Sequence, residues 1–221
     1  MLMLGIDDAG RGPVIGPMVL AGVLADEKTI RAFKRLGVKD SKLLTAKKRE
    51  YFAEIIKQKA EFFQVELAFP DEIEKRNHSG IDLNKLEAIK MADIINKINK
   101  GLKKIKVIID CPSPGIRKWT DFLKTRIHNL STLEIVSEHK ADKNYVIVAA
   151  ASIIAKSIRE KEMDKLREKY GKEIGSGYCT DPATCKFLEK YAAKHKKDGL
   201  FRKTWTTWKK ACANLEQKKL I

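Results

Sequence analysis

The chain has 221 residues, enough to bury a substantial core, and carries 45 Lys and Arg against 29 Asp and Glu, a formal net charge of +16 at pH 7. This excess favours a polyanionic partner, nucleic acid first and an anionic membrane surface second, although a Lys- and Glu-rich composition also occurs in heat-adapted proteins. The four cysteines lack a CxxC pair and the four histidines lack HxxxH spacing, which argues against a disulfide framework and a zinc site. We find no targeting or membrane-spanning segment and expect a cytoplasmic protein.

Hydrophobic periodicity predicts strands first and then alternating strands and helices. Apolar, β-branched runs predict strands at 2–7, 14–24, 61–69, 104–110 and 131–137. Gly37 is a predicted helix stop and Thr45 a predicted N-cap. Helical spacing predicts helices at 28–36, 46–59, 71–76, 83–99, 116–128, 144–168, 183–195 and 204–217. This order indicates a mixed α/β sheet with helices on both faces and a helical C-terminal part.

Aspartates stand where predicted strands end. Asp7 and Asp8 end the first strand, Asp110 ends the fourth, and Asp142 follows the fifth just before the long helix. If these three strands run parallel, the four carboxylates meet at one edge of the sheet and repel one another unless cations are bound. Oxygen ligands alone favour Mg²⁺ or Mn²⁺, and a pair of such ions can promote phosphodiester hydrolysis. Taken singly, each aspartate could instead end a strand, open a turn or cap a helix.

A glycine-rich turn, Gly10-Arg11-Gly12-Pro13, follows the first two aspartates directly. Glycines let a ligand approach the backbone N–H groups without meeting a Cβ atom. Carboxylates beside such a turn suit a metal next to a phosphate.

Several ordered motifs resemble those of the type 2 ribonucleases H, the ribonuclease HII family. They are GIDDAGRGPVIGP at 5–17, GVKDSK at 37–42, EHKADKNYVIVAAASIIAK at 138–156 and GSGYCTDPAT at 175–184, and RKTWTTWKK at 202–210 is similar to the archaeal branch. The resemblance implies an RNase H-like fold, a five-stranded mixed sheet flanked by helices, with its first three strands antiparallel. We expect residues 1–170 to form the catalytic domain. Residues 171–221 should add a substrate-contacting loop and a helical C-terminal extension of the same compact unit.

The resemblance also implies an activity. It implies a metal-dependent endoribonuclease that hydrolyses RNA paired with DNA and cuts 5′ to a ribonucleotide embedded in a DNA duplex, leaving 3′-hydroxyl and 5′-phosphate ends. The resemblance implies two bound ions, Mg²⁺ or Mn²⁺, and the family's catalytic and metal-binding carboxylates map onto Asp7, Asp8, Asp110 and Asp142. The expected partner is an RNA/DNA hybrid or a DNA duplex containing ribonucleotides, with no membrane partner, and the chain is expected to act as a monomer.

The family's recognition residues map onto the glycine turn and a later loop. The backbone of three residues would read the ribose 2′-OH, the group that distinguishes RNA from DNA: Gly10, Arg11 and Gly12. Tyr178 would pack on the sugar of the next deoxynucleotide, where a 2′-OH would clash. Lys42, together with Ser41 and Lys156, would hold phosphates, unless these are ordinary solvated side chains.

One position departs from the family pattern. The second carboxylate is normally Glu, whereas Asp8 is one methylene shorter and alternates in direction with Asp7 along the strand. We expect activity to survive with altered metal preference or rate. Asp8 leaves open a non-catalytic hybrid- or junction-binding relative with a weakened metal site. A third class, a sugar-kinase- or actin-like ATPase, would need further glycine-rich phosphate loops and usually a longer chain.

The segment 194–210 combines seven basic residues with one acid and two tryptophans. Basic groups with interleaved aromatics fit a duplex-binding appendage. Alternatively, Trp205 and Trp208 anchor the last helix while the lysines are solvated. We expect both tryptophans to be buried and leave open whether the lysines face DNA.

Overall fold

A computed structural model describes residues 1–38 and 44–217 of the chain, with side chains up to residue 213. The described strands form one five-stranded sheet in the order β3-β2-β1-β4-β5. They are β1 (Leu2–Ala9), β2 (Met18–Asp26), β3 (Phe62–Ala68), β4 (Ile105–Asp110) and β5 (Leu133–Glu138). β2 runs antiparallel to β1, whereas β4 is parallel to both β1 and β5. The predicted mixed sheet is therefore confirmed.

The described helices follow the predicted order, except that a short helix at Ala141–Asn144 was not predicted. They are α1 (Glu27–Leu36), α2 (Ala46–Lys59), α3 (Pro70–His78), α4 (Leu83–Ile98), α5 (Ile116–Lys124), α6 (Ala141–Asn144), α7 (Val146–Tyr170), α8 (Pro182–Tyr191) and α9 (Thr206–Gln217). Gly37 ends α1 in the left-handed conformation, and the Thr45 hydroxyl accepts the Lys48 N–H at the start of α2, as predicted. Within the described residues, every helix is too short or too polar to span a membrane.

The predicted second strand begins too early. Residues 14–17 do not belong to β2, which starts at Met18. Instead, Val14 donates its N–H to the Gly177 carbonyl (2.9 Å), and Ile15 forms an isolated bridge with Phe201. The apolar pattern of these residues predicts an extended segment but does not say which other segment it pairs with. The sequence therefore could not show that they pair with distant loops.

Contacts divide the chain into two compact units. Unit 1 comprises Met1–Ala9, Val19–Leu67 and Leu83–Ile158. Unit 2 comprises Gly10–Met18, Ala68–Asp82 and the chain from Arg159 onward. A boundary at residue 170 and a single compact unit stay predictions.

Helices cover both faces of the unit 1 sheet. A Cβ atom on Gly5 would lie 2.4 Å from the Ile147 carbonyl, so only glycine lets α7 approach β1 this closely. A Cβ atom on Gly22 would meet both Ile94 of α4 and Leu4. Since Leu4 and Gly5 are adjacent on β1, they face opposite sides, which places α4 and α7 on opposite faces. The first half of α7 is made of small apolar residues, a composition typical of a helix packed closely against a sheet.

Unit 2 has its own apolar core, which the C-terminal segment helps to build. Its buried members include Val14, Met163, Phe187, Phe201 and Trp208. The Phe201 and Trp208 rings lie 4.5 Å apart between centroids, and Trp208 is 4% exposed, which confirms its predicted burial. Trp205 stays partly exposed, so its predicted burial is wrong in part.

Candidate active site

Three of the four predicted aspartates come together at the carboxyl edge of the parallel strands. The register pairs Ile6 of β1 with Ile109 of β4, so Asp7 and Asp110 are the next residues on neighbouring strands. Asp142 lies in α6, the short helix that follows β5. One carboxylate oxygen from each of these aspartates lies within 4.8 Å of the other two. The prediction of this cluster required β1, β4 and β5 to run parallel, and they do.

The cluster is electrostatically costly for the protein alone. Asp7 and Asp142 are only 5% and 4% exposed. Burial raises the pKa of Asp7 well above its ordinary value, and the neighbouring Asp8 and Asp110 charges raise it further. A divalent cation would relieve this repulsion, and an all-oxygen donor set suits Mg²⁺ or Mn²⁺. The residues present therefore fit a divalent metal site.

Asp8 is not one of the clustered ligand donors among the described residues. It is half-buried on β1, and its backbone N–H donates to Asp7 Oδ1 (2.7 Å). Its charge reaches the cluster, because it raises the pKa of Asp7. Its assignment as a direct metal ligand stays a prediction.

Ser152, a fully buried residue of α7, was not among the predicted site residues. Its hydroxyl donates a hydrogen bond to Asp7, which lowers the pKa of that carboxyl against the effect of burial. The bond also restrains the orientation of the Asp7 side chain. The available signal was a single hydroxyl in the apolar run 146–155.

The glycine turn belongs to unit 2, where its carbonyl groups are held by C-terminal side chains. Arg202 donates from Nη2 to the Gly10 carbonyl (2.6 Å) and from Nη1 to the Arg11 carbonyl (2.7 Å). Trp205 Nε1 donates to the Gly12 carbonyl (3.0 Å). Nothing in the local sequence predicted these partners, which lie about 190 residues away.

The two glycines of the turn differ in why they are glycine. Gly10 has φ 80°, and a Cβ atom there would lie 2.3 Å from Arg159 Nε. Both the backbone conformation and the packing therefore require it. Gly12 has no positive φ, is exposed, and a Cβ atom there would meet nothing within 4 Å. The fold therefore does not require glycine at position 12, whose role in substrate recognition stays a prediction.

Tyr178 also lies in unit 2, where it contacts Arg159, the residue that packs against Gly10. Its side chain is 41% exposed, and the Arg159 guanidinium lies 5.0 Å from the ring centroid. Arg159 also donates to the Ser176 carbonyl (3.1 Å). Gly10, Arg159 and Tyr178 thus form a continuous set of contacts.

Arg159 was also missed by sequence analysis. It is 7% exposed, its Nε has no hydrogen-bond partner among the described residues, and burial lowers the pKa of its guanidinium. A buried cation is costly, and the contacts of this side chain with Gly10 and with the Tyr178 ring place it between the turn and that ring.

The predicted phosphate contacts are placed only in part. Lys42 and Ser41 lie outside the described residues, and Lys156 is half-buried on α7. In the C-terminal segment, five lysines are exposed: Lys194, Lys196, Lys197, Lys209 and Lys210. That these lysines face DNA stays a prediction.

A mixed sheet of this strand order, with carboxylates at its parallel edge, defines an RNase H-like nuclease. The family model described as Ribonuclease HII matches residues 4–208. Ribonuclease HII of Thermococcus sibiricus is 42% identical over 224 residues, covering 99% of this chain and 95% of the relative. The chain belongs to the ribonuclease HII family and is a ribonuclease H.

Solved structures agree with this assignment. The crystal structure of ribonuclease H2 from Pyrococcus horikoshii matches with a TM-score of 0.83 and 39% identity, covering 96% of this chain and 97% of that chain. The structure of the PCNA:RNase HII complex from Archaeoglobus fulgidus matches with a TM-score of 0.81 and 35% identity, covering 93% and 96%. The predicted family and fold are therefore confirmed.

Proposed function

We propose that this ribonuclease H hydrolyses RNA in RNA/DNA hybrids and cuts 5′ to ribonucleotides embedded in duplex DNA. The products would carry 3′-hydroxyl and 5′-phosphate ends. The convergence of Asp7, Asp110 and Asp142 carries the catalytic part of the proposal. Membership of the ribonuclease HII family supports the substrate class.

The three clustered aspartates would hold Mg²⁺ or Mn²⁺, and we propose two ions with Asp8 contributing to the site. When bound, such ions supply an activated water and stabilise charge on the leaving 3′ oxygen. Ser152 holds the Asp7 carboxylate in place through its hydroxyl. The Ala141 N–H donates to Asp110 Oδ1 (3.4 Å), which restrains the second carboxylate.

Recognition would depend on sugar chemistry rather than base sequence. The backbone of the turn at Gly10, Arg11 and Gly12 would bind the ribose 2′-OH, and the exposed face at Gly12 supports this role. The exposed ring of Tyr178 would pack on the following deoxyribose. Lys42 would contact a backbone phosphate.

The non-catalytic alternative rests on Asp8 alone. Three carboxylates converge without it, so the observed cluster favours the enzyme. We also propose that the protein acts as a monomer in the cytoplasm. Because the Archaeoglobus fulgidus relative was solved as a complex with PCNA, PCNA is a candidate protein partner.

The test compares three end-labelled duplexes: an RNA/DNA hybrid, a DNA duplex with one ribonucleotide, and the same duplex entirely of DNA. We expect Mg²⁺- or Mn²⁺-dependent cleavage of the first two and no cleavage of the third. The single-ribonucleotide duplex should be cut once, on its 5′ side. Extension of the upstream product by a polymerase and ligation of the downstream product report the 3′-hydroxyl and 5′-phosphate.

Asp110→Asn and Asp121→Asn are a matched pair of variants. Asp110 belongs to the cluster, whereas Asp121 is exposed on α5. Only Asp110→Asn should abolish cleavage. Binding of the ribonucleotide duplex by wild-type protein without cleavage in either metal would support the alternative and contradict the proposal.

A further inference from the structure

The substrate-reading turn, defined as residues 10–12, has its three carbonyl groups bound by two side chains, Arg202 and Trp205. Arg202 is fully buried and binds the Gly10 and Arg11 carbonyls, and its Nε and Nη2 also donate to the Gly16 carbonyl (3.2 and 3.0 Å). Trp205 binds the Gly12 carbonyl. The Arg202 guanidinium lies 5.1 Å from the Trp205 ring centroid, so the two side chains support each other.

Because the peptide group is planar, fixing a carbonyl group also fixes the direction of the N–H group in the same peptide. The described peptide bonds are all trans, and in a trans peptide the C=O and the following N–H point in opposite directions. The Gly10 carbonyl shares its plane with the Arg11 N–H, and the Arg11 carbonyl shares its plane with the Gly12 N–H. Fixing both carbonyls on Arg202 therefore aims these two N–H groups away from Arg202.

The guanidinium charge adds a second effect. Hydrogen bonds from a charged donor are stronger than neutral ones, and a polarised C=O makes the N–H of the same peptide a better donor. Trp205 fixes the third carbonyl, which restrains the backbone on the far side of Gly12. Two neighbouring N–H groups are thus both oriented and strengthened.

We propose that Arg202 and Trp205 are positioning residues for ribonucleotide selectivity: they hold the substrate-reading turn by its carbonyl groups so that the Arg11 and Gly12 N–H groups face the ribose 2′-OH. This inference rests on the proposed recognition of ribonucleotides. It assigns residues 202–205 a role in ribonucleotide selectivity. This role is separate from the predicted contact of the lysines of segment 194–210 with DNA.

Two conservative variants test the proposal. Arg202→Lys keeps the positive charge but replaces the planar fork with a single ammonium group. Trp205→Phe keeps an aromatic ring and removes the N–H donor. Trp208→Phe is the matched control, because Trp208 packs on Phe201 in the same segment and is not one of the side chains that bind the turn.

Fluorescence anisotropy in EDTA measures the Kd of each protein for a duplex with one ribonucleotide and for the all-DNA duplex. Losing hydrogen bonds to the turn should reduce the ratio of the two Kd values by about threefold in Trp205→Phe and about tenfold in Arg202→Lys. The Kd for all-DNA duplex should not change. Trp208→Phe should keep the wild-type ratio, whatever its effect on Tm.

Amide ¹H–¹⁵N NMR of the free protein gives a readout that needs no substrate. Losing hydrogen bonds to the turn carbonyls changes the polarisation and restraint of the turn's peptides, so the Arg11 and Gly12 amide signals should shift in both test variants. They should stay in place in Trp208→Phe, and the signals of the unit 1 strands should stay in place in all three variants. Should Arg202→Lys not fold, Trp205→Phe decides the question.

The outcomes separate this inference from the proposed function. Wild-type protein that binds both duplexes equally would refute ribonucleotide recognition, and with it the selectivity role, while the NMR data would still show whether the turn is held. An unchanged Kd ratio in Trp205→Phe, or an equal loss of affinity for both duplexes, would overturn the proposed role and leave Arg202 and Trp205 as ordinary structural residues.

Discussion

Replacing Asp7 with Asn should stabilise the metal-free protein while removing its metal response. The carboxylate oxygens of Asp7, Asp110 and Asp142 lie within 4.8 Å of one another. At that separation and an effective dielectric of about 20, two ionised carboxylates repel each other by about 3.5 kcal/mol. Asparagine keeps a side-chain oxygen for the Asp8 N–H and removes the charge.

Protonation relieves part of this repulsion in the wild-type protein, so the expected gain is smaller than the Coulomb energy. We expect Asp7→Asn to raise the free energy of unfolding by about 2 kcal/mol in EDTA near pH 8. For a chain of this size, that corresponds to an increase in Tm of about 4–8 °C.

The gain should depend on pH in a defined direction. Because burial raises the pKa of Asp7, the folded protein keeps this proton to a higher pH than the unfolded chain does. The contribution of protonated Asp7 to the free energy of unfolding is fully present below the ordinary pKa of about 4. It is lost as the pH rises through the raised pKa of Asp7 in the folded protein. The benefit of Asp7→Asn should therefore be small near pH 4 and largest near pH 8.

Thermal unfolding in EDTA and in Mg²⁺, across this pH range, measures both effects. Wild-type protein should gain Tm with Mg²⁺, because a ligand of the native state stabilises it, and Asp7→Asn should gain much less. Asp121→Asn, the exposed control on α5, should behave as wild type. An Asp7→Asn variant no more stable than wild type at pH 8, or a gain independent of pH, would refute the electrostatic reasoning.

Four further substitutions test other parts of the structure. Gly12→Ala should leave Tm unchanged, because its Cβ atom meets nothing within 4 Å, yet weaken binding of a ribonucleotide duplex about tenfold. Gly10→Ala should instead lower the free energy of unfolding by about 1–2 kcal/mol, because Gly10 has a positive φ. Equal losses of Tm in the two variants would contradict this difference between the two glycines. Asp181→Ala removes the α8 cap and the acceptor of the Ser176 N–H, so urea unfolding near pH 7 should show a loss of about 1 kcal/mol. Since these hydrogen bonds lower the pKa of Asp181, the wild-type advantage should be present above about pH 4 and disappear on acidification. Asp8→Glu should change the ratio of Mg²⁺ to Mn²⁺ cleavage rates, and identical ratios would show that the shorter side chain is of no consequence.

Much of the catalytic edge could be predicted because it depends on local pattern. Asp7 and Asp110 end apolar runs, and the topology of parallel strands then brings strand ends together. The caps at Gly37 and Thr45 were predicted from single residues with strong local preferences. The first half of α7 is small and apolar on all sides, a pattern typical of close packing against a sheet, and Gly5 permits that approach.

The partners of the turn at residues 10–12 were decided only by the tertiary structure. Its motif is visible in the sequence, but Arg202 and Trp205 reach it across about 190 residues, and no local preference encodes such a pairing. The same is true of Val14, which pairs with Gly177 rather than extending β2. Local sequence determined which groups end the strands and turns, because capping and periodicity are short-range. Packing decided which distant side chains bind those groups. Many side chains of the chain could form the same hydrogen bonds, and only the folded structure brings a particular one within reach.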